Sequence, residues 1–571
     1  MEIVMSRPFT GKTHTGIRRI TRPNGDVYVY ERVTKYDPQA KKTQTLKTTL
    51  LGILDPETGE IRKTRKKSPK KEVVQTQRQR TGTMDILKWV AQETGIVDNL
   101  QKSFGEPIAQ KIDTVARYLI ATDGAPMPRI EAWQITHPTP YAPGLSEDVY
   151  GKLFHDVGLD EDGQQKYFAE RARKLKTNPC IAFDSTTIST YSHNQTEARQ
   201  GFNKDGDGLN TIKLLTLYST TDGQPIAFAK QPGNIPDVIS IRNTIKQVRC
   251  FDVVKPVVVT DNGYYSQSNM AEFARNNMKF LTLVRSSVSW VRDEIDLAKE
   301  ELGKLEAVCP FDHKVSGVTR RRMHKLSIVR QRTRGDFAAG ENEEFERRLY
   351  VHIFYNRDNI GKDEQNLIEE LFELKQHVEK GETLTEAGQN KADKYLVVSR
   401  VGRGGHVKVS FNNEAFEKAK KYFGYFALVS NEAMQADQAL RLYREREKIE
   451  EMFNVQKNSL DGKRPRVWFP DNLKGRLFCQ FIALGYHAFL TRAINDIKGK
   501  LEQDSENKTA QELELEKNLK RWLDAHSLIQ ILEWFDCVET TTVKTERGTQ
   551  RWSTESIRRD ELFLKMLGVR N

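Results

Sequence analysis

Three carboxylates carry the chemistry that can be read from this chain: Asp184, Asp261 and Glu450. Asp184 closes the apolar run Cys180-Ile181-Ala182-Phe183, and Asp261 follows Val257-Val258-Val259-Thr260. Each reads as the end of a core strand, and carboxylates at strand ends of a mixed sheet can converge. Three acids crowded together repel, and burying them together would raise at least one pKa. A divalent cation relieves that repulsion. Hard oxygen donors, with no cysteines paired at metal-ligand spacing, favour Mg²⁺, with Mn²⁺ as its substitute. Two such ions, about 3.5–4 Å apart, would activate an attacking oxygen and stabilise the leaving one in an in-line phosphoryl transfer. Singly, either aspartate reads more readily as a turn or cap residue than as a ligand, and Asp261-Asn262-Gly263 is a plain turn by composition. The combination is what points to a metal site.

Glu450 lies in the run Tyr443 to Lys457, YREREKIEEMFNVQK. An α-helix turns about 100° per residue, which puts Tyr443, Arg446, Glu450 and Lys457 within an arc of about 60°. Leu442, Ile449, Met452 and Phe453 fall beside that stripe and form the core-facing side. A carboxylate therefore sits at the edge of a buried face, flanked along the helix by a phenol and two cations. An amphipathic helix with ion pairs four residues apart would share this pattern.

The elements that must position these groups read as a mixed α/β arrangement. From residue 179 the order is strand, strand, strand, helix, strand, helix, strand: a hairpin opens the sheet and helical crossovers close it. The expected organisation is a small β unit at 1–61, a basic linker at 62–82 and a helical, DNA-binding region at 83–175. The first half of a catalytic domain at 176–285 is then interrupted by a β-rich insertion at 286–425. The second half at 426–495 and a helical C-terminal region at 496–571 complete the chain. The linker carries Arg65, Lys66 and Lys67 among its many cations, and phosphate contact there would make binding salt-dependent.

Bulk properties agree with an anionic partner. The 571 residues carry a formal charge of +12, which suits nucleic acid. The five cysteines show no CxxC spacing, which argues against a zinc site or disulfide framework and fits a reducing cytoplasm. No GxxxxGK[ST] run occurs, so nothing suggests a nucleotide cofactor. The most apolar run, Leu477 to Leu490, contains Gln480 and His487 and is short for a bilayer span. It reads as a buried helix, with no membrane implied.

On these residues the chain resembles insertion-sequence DDE transposases with a YREK signature, in which Tyr, Arg, Glu and Lys are separated by two, three and six residues. Tyr443, Arg446, Glu450 and Lys457 fill every position. The contexts FDSTTIST around Asp184 and VVVTDNGYYS around Asp261, and Gly201-Phe202-Asn203-Lys204-Asp205, resemble the family too. The resemblance implies a ribonuclease-H-like catalytic domain with a β-rich insertion before the glutamate. It implies two Mg²⁺ ions held by Asp184, Asp261 and Glu450. It also implies a homodimer on the terminal inverted repeats of a mobile element, cutting its ends and joining the 3′-hydroxyl to target DNA. Tyr443, Arg446 and Lys457 would hold DNA phosphates, with Lys204 a further candidate. Some relatives carry a stacking tryptophan just after the signature arginine; here that residue is Glu447, which leaves Trp290 and Trp468 as candidates for stacking on a base. The competing readings are a non-catalytic DNA-binding protein derived from a transposase, and a metal-dependent nuclease that cuts without joining.

Overall fold

The structure is a computed structural model. It describes residues 13–23, 25–37, 40–63, 73–176, 179–201, 203–248, 255–329, 338, 340–401, 406–464, 466–503, 508–545 and 548–569. Arg65, Lys66 and Lys67 lie outside the described residues. The chain divides into two compact units, residues 1–77 with 542–551, and residues 78–541 with 552–571.

The first unit is built on an antiparallel sheet of β1 (Thr13–Thr21), β2 (Val27–Asp37), β3 (Lys42–Leu54) and β4 (Ile61–Arg62), in that order. Two of these strands extend well beyond the apolar runs at Val27–Tyr30 and Leu50–Leu54, and β1 has no such run at all. Its residues are almost all exposed, so no hydrophobic alternation marks it. Part of the expected 62–82 linker is a strand as well, β5 (Val73–Arg80).

The second unit is organised on a nine-stranded sheet. Its strands are β6 (Cys180–Ser189), β7 (Thr211–Ser219), β8 (Gln224–Pro232), β9 (Val257–Thr260), β10 (Lys279–Val284), β11 (Val308–Cys309), β12 (Asp312–Val329), β13 (Asn342–Asn356) and β16 (Tyr425–Ser430). The spatial order is β11-β12-β13-β16-β10-β9-β6-β7-β8. β6, β7 and β8 form an antiparallel meander, whereas β9 runs parallel to both β6 and β10. This is the mixed, ribonuclease-H-like α/β arrangement, with the helix Asp237–Gln247 between β8 and β9 and the helix Gln267–Arg275 between β9 and β10. β6 and β7 are buried at every position, as central strands covered on both faces must be.

The 286–425 segment was expected to form an insertion domain, but much of it joins this sheet. β13 pairs with β16, which pairs with β10, so β12 and β13 prolong the same sheet. The pair β14 (Leu396–Val401) and β15 (His406–Phe411), with the helices Asn359–Glu379 and Glu386–Tyr395, makes a separate small cluster with its own apolar contacts.

Pro470–Glu502 is a single helix of 33 residues. By length and composition it could cross a membrane, but 67% of its most apolar window is buried inside the protein, so it serves as a core helix. The helices Glu106–Ala121 and Glu147–Leu159 of the 83–175 region pack against it. That region is thus integral to the second unit's core. The approach is close enough that a Cβ at Gly158 would overlap the Asp471 carbonyl, and one at Gly475 the Phe154 carbonyl. Beneath this layer, Asp113 accepts from Arg117 Nη2 at 2.8 Å and from the Tyr486 hydroxyl, with Asp113 1% and Arg117 6% exposed. Toward the C-terminus the helix Leu528–Asp536 leads into the hairpin of β17 (Glu539–Thr545) and β18 (Gly548–Ser553), beside β5.

Candidate active site

The parallel pairing of β6 with β9 brings the two aspartates together. Phe183 lies opposite Thr260, so Asp184 and Asp261 occupy the next position on neighbouring strands, which run about 4.8 Å apart. Asp261 stands just past the end of β9, as its sequence context suggests. Asp184 does not end its strand: β6 continues to Ser189, and Asp184 pairs with Thr216 of β7 in mid-strand. The polar run Ser185-Thr186-Thr187 conceals this continuation. Those hydroxyl residues are buried in a sheet covered on both faces, where sequence reading expects apolar side chains.

The helix expected to run unbroken from Tyr443 to Lys457 is two helices, Ala436–Arg444 and Glu447–Asn458. At the break the backbone tightens. Arg446 N–H donates to the Tyr443 carbonyl at 3.0 Å and Ile449 N–H to the Arg446 carbonyl at 2.9 Å, both three residues back, as in a 3₁₀ turn. The cause lies in what each half packs against. Ala439 and Leu440 of the first half join an apolar cluster with Val259, Leu281 and Phe354. Ile449, Met452 and Phe453 of the second belong to the main core, and that helix lies against β6 and the Pro470–Glu502 helix. The two halves thus seat their apolar faces in different clusters, one on either side of the break.

The break places Arg446 between the acids. Its Nη1 donates to Asp184 Oδ2 at 3.3 Å and its Nη2 to Glu450 Oε1 at 3.1 Å. It is 8% exposed, and its guanidinium faces the carboxylates. The Tyr443 hydroxyl donates to Asp261 Oδ1 at 3.1 Å. Burial, with the charge of Asp261 next to it, pushes the Tyr443 phenol far above its ordinary value. Burial also raises the Asp184 carboxyl, against the pull of Lys204, the Ser185 N–H and Arg446. Arg446 itself is held more firmly protonated despite its burial, because Tyr443, Asp184, Asp261 and Glu450 surround it.

Lys204 lies in the loop between β6 and β7, and Lys457 reaches that loop. Lys204 Nζ donates to the Ser185 carbonyl at 2.8 Å, one residue from Asp184. Lys457 Nζ is 3.3 Å from Asp205 Oδ1. Trp290 is 8% exposed and donates to the Tyr265 hydroxyl at 3.1 Å. Trp468 is 68% exposed.

A fourth acid went unremarked in the sequence. Asp237, at the start of the Asp237–Gln247 helix, accepts from Ser185 Oγ at 3.1 Å and from Lys213 Nζ at 2.7 Å. Tyr264 packs on Phe183 with ring centroids 5.1 Å apart, and burial, then the charges of Asp184 and Asp237, push its phenol well above the ordinary range. An aspartate just after a proline at a helix start is so common a first-turn residue that its proximity to Asp184 left no sequence signal.

Among the described residues, no three acids, histidines or cysteines converge closely enough to form a ready metal cage. The guanidinium of Arg446 stands between two of the acids instead. The donor set still fits a hard divalent cation: Asp184, Asp261 and Glu450 offer carboxylate oxygens with no thiolate or imidazole among them.

The family model for the transposase DDE domain matches residues 176–485, more than half of the chain. The chain belongs to this family of DNA transposases. No curated protein matches it. Among solved structures it is similar to the piggyBac transposase synaptic complex with hairpin DNA, at 10% sequence identity, covering 77% of this chain and 76% of that one, with a TM-score of 0.32. DDE transposases are DNA-cleaving and DNA-joining enzymes that generally use divalent metal ions. In this transposase the matched span begins just before β6 and ends inside the Pro470–Glu502 helix, so it contains all three acids and the Arg446 bridge.

Proposed function

We propose that this transposase cuts DNA at the ends of an insertion sequence and joins the freed 3′-hydroxyl to target DNA, with Asp184, Asp261 and Glu450 as the cation-binding residues. The observation that carries this reading is the adjacency of Asp184 and Asp261 on paired parallel strands, with Glu450 tied to Asp184 through Arg446. Mg²⁺, or Mn²⁺ in its place, would supply charge neutralisation at the phosphate and a lower pKa for the attacking oxygen, and two such ions suit an in-line transfer.

The chain's own residues supply position and charge. The Tyr443 hydroxyl fixes one oxygen of Asp261, leaving the other free to act as a donor. The Asn262 N–H holds that same Asp261 Oδ1, and Asp184 is held at both oxygens, Oδ1 by the Ser185 N–H and Oδ2 by Arg446 Nη1. Arg446 keeps Asp184 and Glu450 from repelling each other before a substrate arrives, and its guanidinium suits a phosphate that displaces one of them. Lys204 and Lys457 extend positive charge outward from the acids, along the path a DNA backbone would take. A homodimer would present two such sites to the paired inverted repeats.

A cleavage and joining assay tests the reading. It uses the purified chain, Mg²⁺ and DNA carrying the element's own ends, with Glu450→Gln as the control. Cutting and joining by the wild type, both lost in the variant, support the assignment. Cutting that survives in Glu450→Gln would mean that another carboxylate, with Asp237 the first to examine, completes the site.

A further inference from the structure

Beyond the far end of β6, the chain builds a surface that the carboxylate chemistry does not use. Tyr191, Trp468 and Phe469 are 71%, 68% and 58% exposed. Large aromatic rings left this open in one place are unusual for a soluble surface unless something covers them. Tyr191 and Trp468 line one concave pocket together with Ser189, Ser192, Arg464 and Arg466. Arg464 lies over the Tyr191 ring, 5.3 Å from its centroid. Its Nη2 pairs with Asp207 at 2.8 Å, whereas its Nη1 is buried without a hydrogen-bond partner among the described residues. A buried donor in that state calls for an acceptor.

The surface is held in place and joined to the acids. Ser192 Oγ donates to the Trp468 carbonyl at 3.0 Å, and Gln195 Nε2 to the Val467 carbonyl at 3.3 Å. Both bonds tie the Trp468 segment to the chain leaving β6. The loop between β6 and β7 then runs back to the active site as a series of polar contacts. Asp207 takes Arg464, Asp205 takes Lys457, and Lys204 reaches the Ser185 carbonyl. Cations thus line the way from Asp184 to the rings.

We propose that Tyr191, Trp468 and Phe469, with Arg464 and Arg466, form a stacking platform for an unpaired stretch of the DNA strand leading to the carboxylates. The inference rests on the reading that a DNA strand is cut there. Every base has a π-face, so aromatic rings beside cations hold single strands with little regard for sequence. The cations along the loop are largely matched by Asp205 and Asp207. Attraction for a rigid duplex is therefore modest, and stacking on the rings is the main source of affinity. Arg466, whose side chain is 64% exposed, would meet a phosphate oxygen.

The test is fluorescence anisotropy of a labelled oligothymidylate, and of a duplex of equal length, titrated with the full chain in the absence of divalent cations. Trp468→Ala and Tyr191→Ala are each expected to weaken oligothymidylate binding at least about fivefold. Trp468→Phe should keep most of the affinity, and duplex binding should stay unchanged. Both rings are exposed, and unchanged circular dichroism would confirm that the variants fold. Unchanged oligothymidylate affinity in both alanine variants overturns the proposal. So does an equal loss for duplex and single strand, which would mark a general phosphate surface. Loss of self-association in sedimentation with oligothymidylate affinity intact would identify the rings as a protein interface, and would overturn it too. The readout needs neither cation nor cleavage, so its failure is distinct from failure of the catalytic assignment.

Discussion

Replacing Arg446 with glutamine should make the folded transposase more dependent on divalent cations. In the wild type the guanidinium bridges Asp184, which is 7% exposed, and Glu450, whose side chain is 59% exposed. Removing one partner of a buried pair typically costs about 3–5 kcal/mol, and the Asp184 half belongs to that class. The Glu450 half is open to solvent and adds no more than about 0.5 kcal/mol. Glutamine keeps a hydrogen-bond donor in reach, so a net loss near the lower end, about 3 kcal/mol, is expected. For a compact unit of roughly 480 residues, each kcal/mol moves the unfolding midpoint about 1 °C. Arg446→Gln should thus melt about 3 °C below the wild type in the presence of EDTA. Millimolar Mg²⁺ should raise the variant's midpoint more than the wild type's, because a cation can then take the place of the lost charge between the acids. Differential scanning fluorimetry with and without Mg²⁺ measures both shifts. An Mg²⁺ shift no larger in the variant than in the wild type would refute the reasoning, as it would show that the guanidinium does not stand where a cation binds.

Other outcomes follow from the same structure. Asp113→Ala leaves Arg117 buried and unpaired, and should lower stability by about 3–5 kcal/mol in urea unfolding, whereas Asp113→Leu with Arg117→Met should recover most of it. Gly475→Ala forces a methyl onto the Phe154 carbonyl and should cost about 1–3 kcal/mol or more, seen as a lower melting midpoint with unchanged helix content. The Asp536 carboxyl, though partly buried, is held below its ordinary value by hydrogen bonds from His137 and Arg80. A folded-state pKa below the unfolded one gives stability that is complete above about pH 4 and fades as the pH falls through the folded value. Asp536→Asn should therefore flatten the acid limb of the stability profile while leaving its slope near neutrality unchanged.

The composition and spacing of the chain already marked the side chains proposed to do the chemistry. Carboxylates after apolar runs, and a tyrosine, arginine, glutamate and lysine at helical intervals, are local patterns that the polypeptide geometry makes legible. The apolar runs at Ile181–Phe183 and Val257–Val259 marked central strands for the same reason: strands covered on both faces must be apolar throughout. Which of these groups meet was decided only in three dimensions. The parallel register of β6 on β9 joins distant segments of chain, and no nearby residue encodes it. The turn at Glu445-Arg446 falls where the two halves of the helix seat their apolar faces in different clusters, and that turn is what buries Arg446 between acids. β12 and β13 prolong the sheet of β6 and β9 because the free edge of β16 offers unpaired backbone groups, a cause that lies outside their own sequence. Trp468 was a stacking candidate from the sequence, but nothing in the sequence joins Tyr191 to it, since their nearness depends on the ends of separate elements meeting. Spacing along a chain reports the local turn of the backbone, whereas pairing, burial and the partner of a charge are set by contacts between residues far apart in sequence.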